Sequence, residues 1–130
     1  MAARQRQTYG EEVANVLTHG AGMLFGMTAI IILMMAAIRS GNPWAIGSFA
    51  VYAVCMTLSY VTSTFYHAST HARQKRLLRR FDHGAIYLHI AGTYTPFTLL
   101  ALRQEGYWGW SLFAVIWIAA VAGVWLSFRK

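Results

Sequence analysis

The chain has 130 residues, of which 57% are hydrophobic and 12% are charged, and its formal net charge is +7. A soluble globular domain carries about 25% charged residues, so this composition excludes an ordinary soluble protein. We also expect no nucleic-acid partner, because the basic residues lie between long apolar segments rather than along one stripe.

Four segments without Asp, Glu, Lys or Arg follow one another along the chain. They predict transmembrane helices at about 20–38, 43–67, 83–102 and 107–128. Apolar segments of about 20 residues cross the hydrocarbon core as helices, because lipid offers the backbone no hydrogen-bond partners. The dipeptide Asn42-Pro43 is a typical N-cap and first turn for the second helix. The sequence therefore predicts an all-α polytopic transmembrane bundle in one domain, residues 1–130.

The basic residues are distributed unevenly between the two ends of this bundle. Only Arg39 and Arg103 fall at one end. The other end holds Arg4, Arg6, Arg73, Lys75, Arg76, Arg79, Arg80, Arg129 and Lys130. The positive-inside rule places both termini in the cytoplasm, together with the basic loop between the second and third predicted helices, which spans 73–80. The protein is expected in the cell inner (plasma) membrane. The loop is expected to anchor the topology, and contact with anionic lipid is the alternative.

A pair of polar residues stands near the cytoplasmic end of the second helix. Polar side chains inside membrane helices cost free energy and are often functional. Ser63 and His67 are four residues apart and share a helical face, with His71 a further four along. His67 is a candidate metal ligand. A histidine that only forms hydrogen bonds at the interface is the alternative, and spacing alone favours that alternative.

Asp82 and His83 stand where the third helix is predicted to begin. As an N-cap, Asp82 would favour the positive end of the helix. As a functional carboxylate, it would hold and deprotonate a metal-bound water. Further along the same face lie His89 and Thr93, and Pro96 predicts a kink after them.

A polar stripe precedes the first transmembrane segment and continues into it. Its residues, at steps of three and four, are Glu12, Asn15, His19, Gly22 and Gly26. The two glycines form a small-xxx-small pair, which predicts close contact with another helix. The polar residues of the stripe either form the cytoplasmic end of this packing seam or line the mouth of a cavity.

Three motifs together resemble the bacterial hemolysin III family, which is related to the progestin and adipoQ receptors, including the adiponectin receptors. They are EEVANVLTHGAG at 11–22, STFYHA at 63–68 and FDHGAIYLHIAGTYTPF at 81–97. The resemblance implies a seven-helix fold with a cytoplasmic N-terminus, of which this chain contains the first four helices. It also implies a zinc site near the cytoplasmic side, in a wider group of presumed metal-dependent lipid hydrolases.

The resemblance assigns roles to three residues of this chain. His67 is expected to be a zinc ligand, Asp82 to hold a zinc-bound water, and Ser63 to form hydrogen bonds beside them. Two further family ligands come from a HisxxxHis motif in the last helix, which this sequence lacks. We therefore expect a truncated product or fragment with an incomplete zinc site. In the alternative, His71 and His83 complete the site with His67.

These observations predict a zinc-dependent hydrolase of lipid amide or ester bonds, or a truncated remnant of one. A pore-forming, cytolytic membrane protein is the alternative, and a ligand receptor receives less support. The expected partners are membrane lipids and a second copy of the chain, which would pair through helix faces left exposed by the missing helices.

Overall fold

The computed structural model describes residues 8–129 of the chain. Four α-helices follow one another: α1 Tyr9–Ser40, α2 Pro43–Ala68, α3 Ala72–Pro96 and α4 Trp108–Arg129. A π-helical turn, Phe97–Ala101, continues α3. The described part of the chain contains no strand, so the predicted all-α bundle of four helices is confirmed.

Three of the helices, α1, α2 and α4, are long and apolar enough to cross a membrane. At about 1.5 Å per residue, the 22 residues of α4 reach about 33 Å, which exceeds the hydrocarbon thickness of about 30 Å. Charged residues occupy the first part of α3, and the uncharged segment 84–102 comprises the rest of α3, the π turn and the residue after it. The chain is therefore a polytopic helical membrane protein.

Two helices begin earlier than the sequence predicts, because the predicted bounds followed the loss of charge rather than the helix signals. Around α1, the Thr8 hydroxyl accepts a hydrogen bond from the Glu11 backbone N–H, while the Glu11 carboxylate accepts one from the Thr8 backbone. The first turns of α3 consist mainly of Arg, Lys, Gln and Leu, which are good helix formers. Asp82 therefore lies inside α3, and its predicted N-cap role is wrong. The N-cap of α3 is His71.

The start of α2 agrees with the sequence. Asn42 Oδ1 accepts a hydrogen bond from the Trp44 backbone N–H at 3.0 Å, and Pro43 occupies the first helical position. Just before it, Gly41 ends α1 in the left-handed conformation, with φ of 64°. This two-residue connection makes α1 and α2 antiparallel neighbours.

Small residues set the distances between the helices. The Tyr60 ring lies against Gly22, and the end of the Met56 side chain lies against Gly26, so the predicted glycine seam joins α1 to α2. Gly92 of α3 receives Cys55 of α2 in the same way. The chain therefore packs sequentially, with α2 between α1 and α3, and with α4 against α3.

The bundle has an arginine–tryptophan stack at each end. The Arg103 guanidinium lies 4.4 Å from the centre of the Trp44 ring, and the Arg129 guanidinium lies 3.6 Å from that of Trp125. Tryptophan prefers the headgroup level, so these two stacks indicate the two membrane surfaces. Three of the basic residues assigned to the Arg129 end from sequence alone, Arg4, Arg6 and Lys130, lie outside the described residues.

Pro96 is followed by a wider turn. The Leu102 backbone N–H donates to the Phe97 carbonyl oxygen at 3.3 Å, five residues back. On the preceding turn, the Thr95 hydroxyl donates to the Ala91 carbonyl at 2.8 Å and accepts from Trp117 Nε1 at 3.1 Å. The irregularity expected at Pro96 is thus a change of hydrogen-bond register, and it is tied to α4 by Trp117.

Candidate functional site

One carboxylate joins three helices at the end of the bundle that holds Arg129. Glu12 of α1 lies with Oε2 2.7 Å from His67 Nδ1 of α2. Its other oxygen, Oε1, accepts a hydrogen bond from Lys75 Nζ of α3 at 2.5 Å. The side chain of His67 is 9% exposed and that of Glu12 is 17% exposed, so the pair is shielded from bulk water.

The Glu12 contact determines which nitrogen of His67 carries a proton. A carboxylate oxygen at 2.7 Å requires Nδ1 to be the donor. The amide nitrogen of Asn15 lies farther from the same Nδ1, at 3.4 Å, and cannot donate to a protonated nitrogen. In the neutral ring, Nε2 therefore keeps its lone pair and is the nitrogen available to a metal ion.

The charge on Glu12 is favoured by its partners. Glu12 precedes the uncharged segment 20–38, so it lies outside the hydrocarbon core. Burial on its own raises the pKa of this carboxyl, but the hydrogen bonds from Lys75 and His67 and the positive charges of these partners outweigh it. The pKa of Glu12 consequently lies below its ordinary value.

A row of rings leads from this cluster into the bundle. The His19 ring stacks on that of His67, with ring centres 5.8 Å apart and planes inclined by 21°. Tyr60 follows at 6.3 Å from His19, and His89 lies 6.1 Å from Tyr60. His67 is thus held by Glu12 on one side and by an aromatic stack on another.

The two other residues predicted to act with His67 lie near the same level of the bundle. Ser63 is 5% exposed and stands one turn before His67 on α2. The contacts of Tyr60 with His89 and of Cys55 with Gly92 set the antiparallel register of α2 and α3. This register puts half-buried Asp82 level with the last turn of α2.

The two accessory histidines are not gathered around His67. Because α2 ends at Ala68, His71 does not continue the face of His67, and it is exposed. His83 is also exposed, and its Nδ1 donates to the Arg79 carbonyl at 2.6 Å. Residues 8–129 contain no group of three His, Cys, Asp or Glu side chains suited to a metal ion. The alternative site of His67, His71 and His83 is therefore not assembled in this structure.

Sequence reasoning missed the partners of His67. Glu12 was recognised as part of a polar stripe, but the stripe does not reveal which helix it faces. Lys75 was counted among the topology-setting charges, where nothing distinguished it from its arginine neighbours. The available signal was the shared face of Glu12, Asn15 and His19, which pointed to a polar partner across the glycine seam.

Comparisons with known proteins extend over almost the whole chain. A family described as "Haemolysin-III related" matches residues 7–130. Hemolysin-3 of Bacillus cereus is 46% identical over 121 residues, which cover 93% of this chain and 54% of that protein. The Hemolysin-3 homolog of Bacillus subtilis (strain 168) is 43% identical over 117 residues, covering 90% of this chain and 54% of the homolog. No solved structure is significantly similar. The chain thus spans about half the length of the curated relatives it matches.

Proposed function

We propose that this chain, which belongs to the haemolysin III family, carries part of a zinc-dependent site that hydrolyses amide or ester bonds of membrane lipids. The proposal extends the family assignment to a reaction. It depends on the arrangement of side chains around His67.

The observation that carries the proposal is the contact between Glu12 and His67. A histidine that binds a metal usually donates its second ring N–H to a carboxylate, which fixes the tautomer and makes the ligating nitrogen more basic. Glu12 Oε2, at 2.7 Å from His67 Nδ1, stands in this relation to the ring. Nε2 of His67 is then a ready zinc ligand.

A catalytic zinc ion takes about three protein ligands, commonly including histidine nitrogens. His67 fits this chemistry, but the described residues supply only this one ligand of the proposed set. We propose that the remaining ligands come from outside residues 8–129. When bound, zinc would supply Lewis-acid polarisation of the lipid carbonyl.

Two side chains of this chain are proposed to serve the reaction. Asp82 would accept a proton from the attacking water, as a general base. Ser63 would donate a hydrogen bond to the oxygen on which negative charge develops. Their support is the register of α2 and α3, which brings both residues near the level of His67.

We propose that the end of the bundle that holds His67 faces the cytoplasm and that the protein lies in the plasma membrane. Among the described residues, the end with His67 carries Arg73, Lys75, Arg76, Arg79, Arg80 and Arg129. The opposite end carries Arg39 and Arg103. This asymmetry supports a cytoplasmic N-terminus by the positive-inside rule.

The metal proposal can be tested on Hemolysin-3 of Bacillus cereus, which is longer than this chain. Its zinc content is measured after purification, and alanine is then introduced at the position aligned with His67. We expect about one zinc ion per chain, lost in this variant and kept when the position aligned with His83 is changed to alanine. A relative without zinc, or with equal zinc in both variants, would overturn the proposal.

The second candidate function is cytolysis by membrane perturbation, and it rests on the name of the two relatives. In the described structure, the contacts among polar rings run from His67 as far as Tyr52, which lies 6.5 Å from His89. Release of a trapped dye from liposomes by the purified chain tests this function. A protein heated to unfolding serves as the control, and release no greater than that of the control excludes the pore.

A further inference from the structure

The first three turns of α3 present a face that combines three arginines with two apolar side chains. We call it the basic face of α3, and it consists of Arg73, Arg76, Leu77, Arg80 and Phe81. All five side chains are exposed, Leu77 by 52% and Phe81 by 44%. Their spacing of three, one, three and one places them on a single stripe of the helix.

The arginines of this face have no carboxylate partner among residues 8–129. Every ion pair within 4.0 Å in the described structure belongs to Glu12, which binds His67 and Lys75. The whole chain has four acidic residues. Of the other three, Glu11 caps α1, half-buried Asp82 of α3 forms no ion pair within 4.0 Å in the described structure, and Glu105 lies in the loop at the opposite end. None of the three arginines of the face is therefore paired with a carboxylate of the described residues.

The face also lies at the depth of a membrane surface. The Phe81 ring packs edge-on against that of Phe128 of α4, with ring centres 5.1 Å apart. The next residue, Arg129, stacks on Trp125, which indicates the headgroup level at this end. Phe81 and Leu77 can thus reach the upper part of the acyl chains, while the arginines lie among the headgroups.

We infer that the basic face of α3 binds the headgroups of anionic phospholipids in the leaflet at this end of the bundle. Guanidinium groups form paired, charge-assisted hydrogen bonds with phosphate oxygens. Apolar side chains on the same stripe favour the boundary between headgroups and acyl chains. Water and zwitterionic headgroups also accept hydrogen bonds from arginine, but an anionic surface adds a net electrostatic attraction that they lack. This inference is independent of the proposed zinc site.

Quenching of tryptophan fluorescence by lipids with brominated chains tests the inference. The protein is placed in mixed micelles with brominated phosphatidylglycerol or brominated phosphatidylcholine, and the association constants are compared. Each basic residue near an anionic surface contributes a preference of roughly fivefold. We expect the anionic lipid to be preferred on the order of 100-fold, and the preference to fall as salt is added.

Four variants make the test specific. Replacing Arg73, Arg76 and Arg80 together by glutamine should remove most of the preference, whereas replacing the same three by lysine should keep most of it. The single variant Arg76→Gln should lose about fivefold, and Arg39→Gln, which lies outside the basic face of α3 at the opposite end, should lose clearly less. The single variants decide the question even if the triple glutamine variant does not fold.

Three results would overturn the inference. One is an unchanged preference in Arg76→Gln, and another is an equal loss in Arg39→Gln. The third concerns the source of the phosphate. If inorganic phosphate at the same concentration displaces the brominated phosphatidylglycerol, the face binds phosphate ions rather than a lipid surface.

Discussion

The ring of Tyr60 lies directly on the backbone of Gly22. A Cβ atom placed at residue 22 would stand 2.6 Å from Cε1 of that ring, closer than real Cβ atoms approach a neighbour. The same ring contacts the rings of His19 and His89. The absence of a side chain at Gly22 therefore sets both the spacing of α1 and α2 and the position of the polar row between them.

The first prediction follows from this contact. Gly22→Ala should lower the free energy of unfolding by about 1–3 kcal/mol, because the rigid Tyr60 ring must move. Gly20→Ala is the matched control, since nothing lies within 4 Å of a Cβ at that position, two residues away on the same helix. The control should be neutral or more stable by up to about 1 kcal/mol. Unfolding in mixed micelles with increasing denaturing detergent measures both, and equal stability of the two variants would contradict the prediction.

The second prediction concerns the link between α3 and α4. Thr95→Val removes the acceptor for Trp117 Nε1, which lies 3.1 Å from the Thr95 hydroxyl. The free energy of unfolding should fall by about 0.6 kcal/mol, the average for hydrogen bonds between membrane helices, and by no more than about 1.7 kcal/mol. Thr93→Val is the control, because the Thr93 hydroxyl also bonds its own helix, at His89 O, but is exposed. Faster exchange of the Trp117 indole hydrogen in Thr95→Val alone would agree with this prediction, and identical rates in the two variants would contradict it.

The third prediction concerns the tautomer of His67. With Glu12 in place, nitrogen-15 spectra of labelled histidine should show the proton of neutral His67 on Nδ1. Glu12→Gln should shift the ring toward the Nε2–H form, because a neutral amide binds Nδ1–H less strongly than a carboxylate. Glu105→Gln, in the loop at the opposite end, should leave the spectrum unchanged. An Nε2–H tautomer in the wild-type chain would show that the assignment is wrong.

The fourth prediction concerns pH. The folded-state pKa of Glu12 lies below its ordinary value of 4.5, because Lys75 and His67 stabilise the carboxylate more than burial penalises it. The unfolded chain therefore takes up a proton at this group before the folded chain does. The stability that ionised Glu12 contributes is fully present above pH 4.5 and decreases as the pH falls through the lower, folded-state value.

Thermal unfolding in detergent between about pH 6 and 3 measures this contribution. The melting temperature of the wild-type chain should decrease more steeply with acid than that of Glu12→Gln, and the two curves should converge at the acid end. Glu105→Gln should follow the wild-type curve. Parallel curves for the wild-type chain and Glu12→Gln would contradict the lowered pKa.

Much of the fold could be predicted from the sequence, because lipid imposes strict rules on it. The uncharged segments predicted the four helices, Asn42-Pro43 predicted the start of α2, and Gly22 and Gly26 predicted a packing seam. The three motifs predicted the family, which the comparisons confirm. Each of these signals is local, or depends on one kind of residue repeated at a fixed spacing.

The helix starts and the contacts between helices could not be predicted in the same way. Charge marks where a membrane ends but not where a helix ends, so α3 begins at Ala72 and Asp82 is an interior residue. The partners of His67 depend on how three helices pack side by side, and this packing cannot be deduced directly from the sequence. The roles of Ser63, His67 and Asp82 in catalysis stay predictions.

The π turn at Phe97–Ala101 gives α3 one residue more than an ordinary helix of the same rise would hold. In this sense it behaves as a one-residue insertion, absorbed where Pro96 has already removed a backbone donor. If the same residues were wound as ordinary α-helix with none removed, the chain beyond the turn would rotate by about 100° around the helix axis. Arg103 would then leave the face on which it meets Trp44. The wide turn therefore determines on which side of α3 the loop before α4 begins.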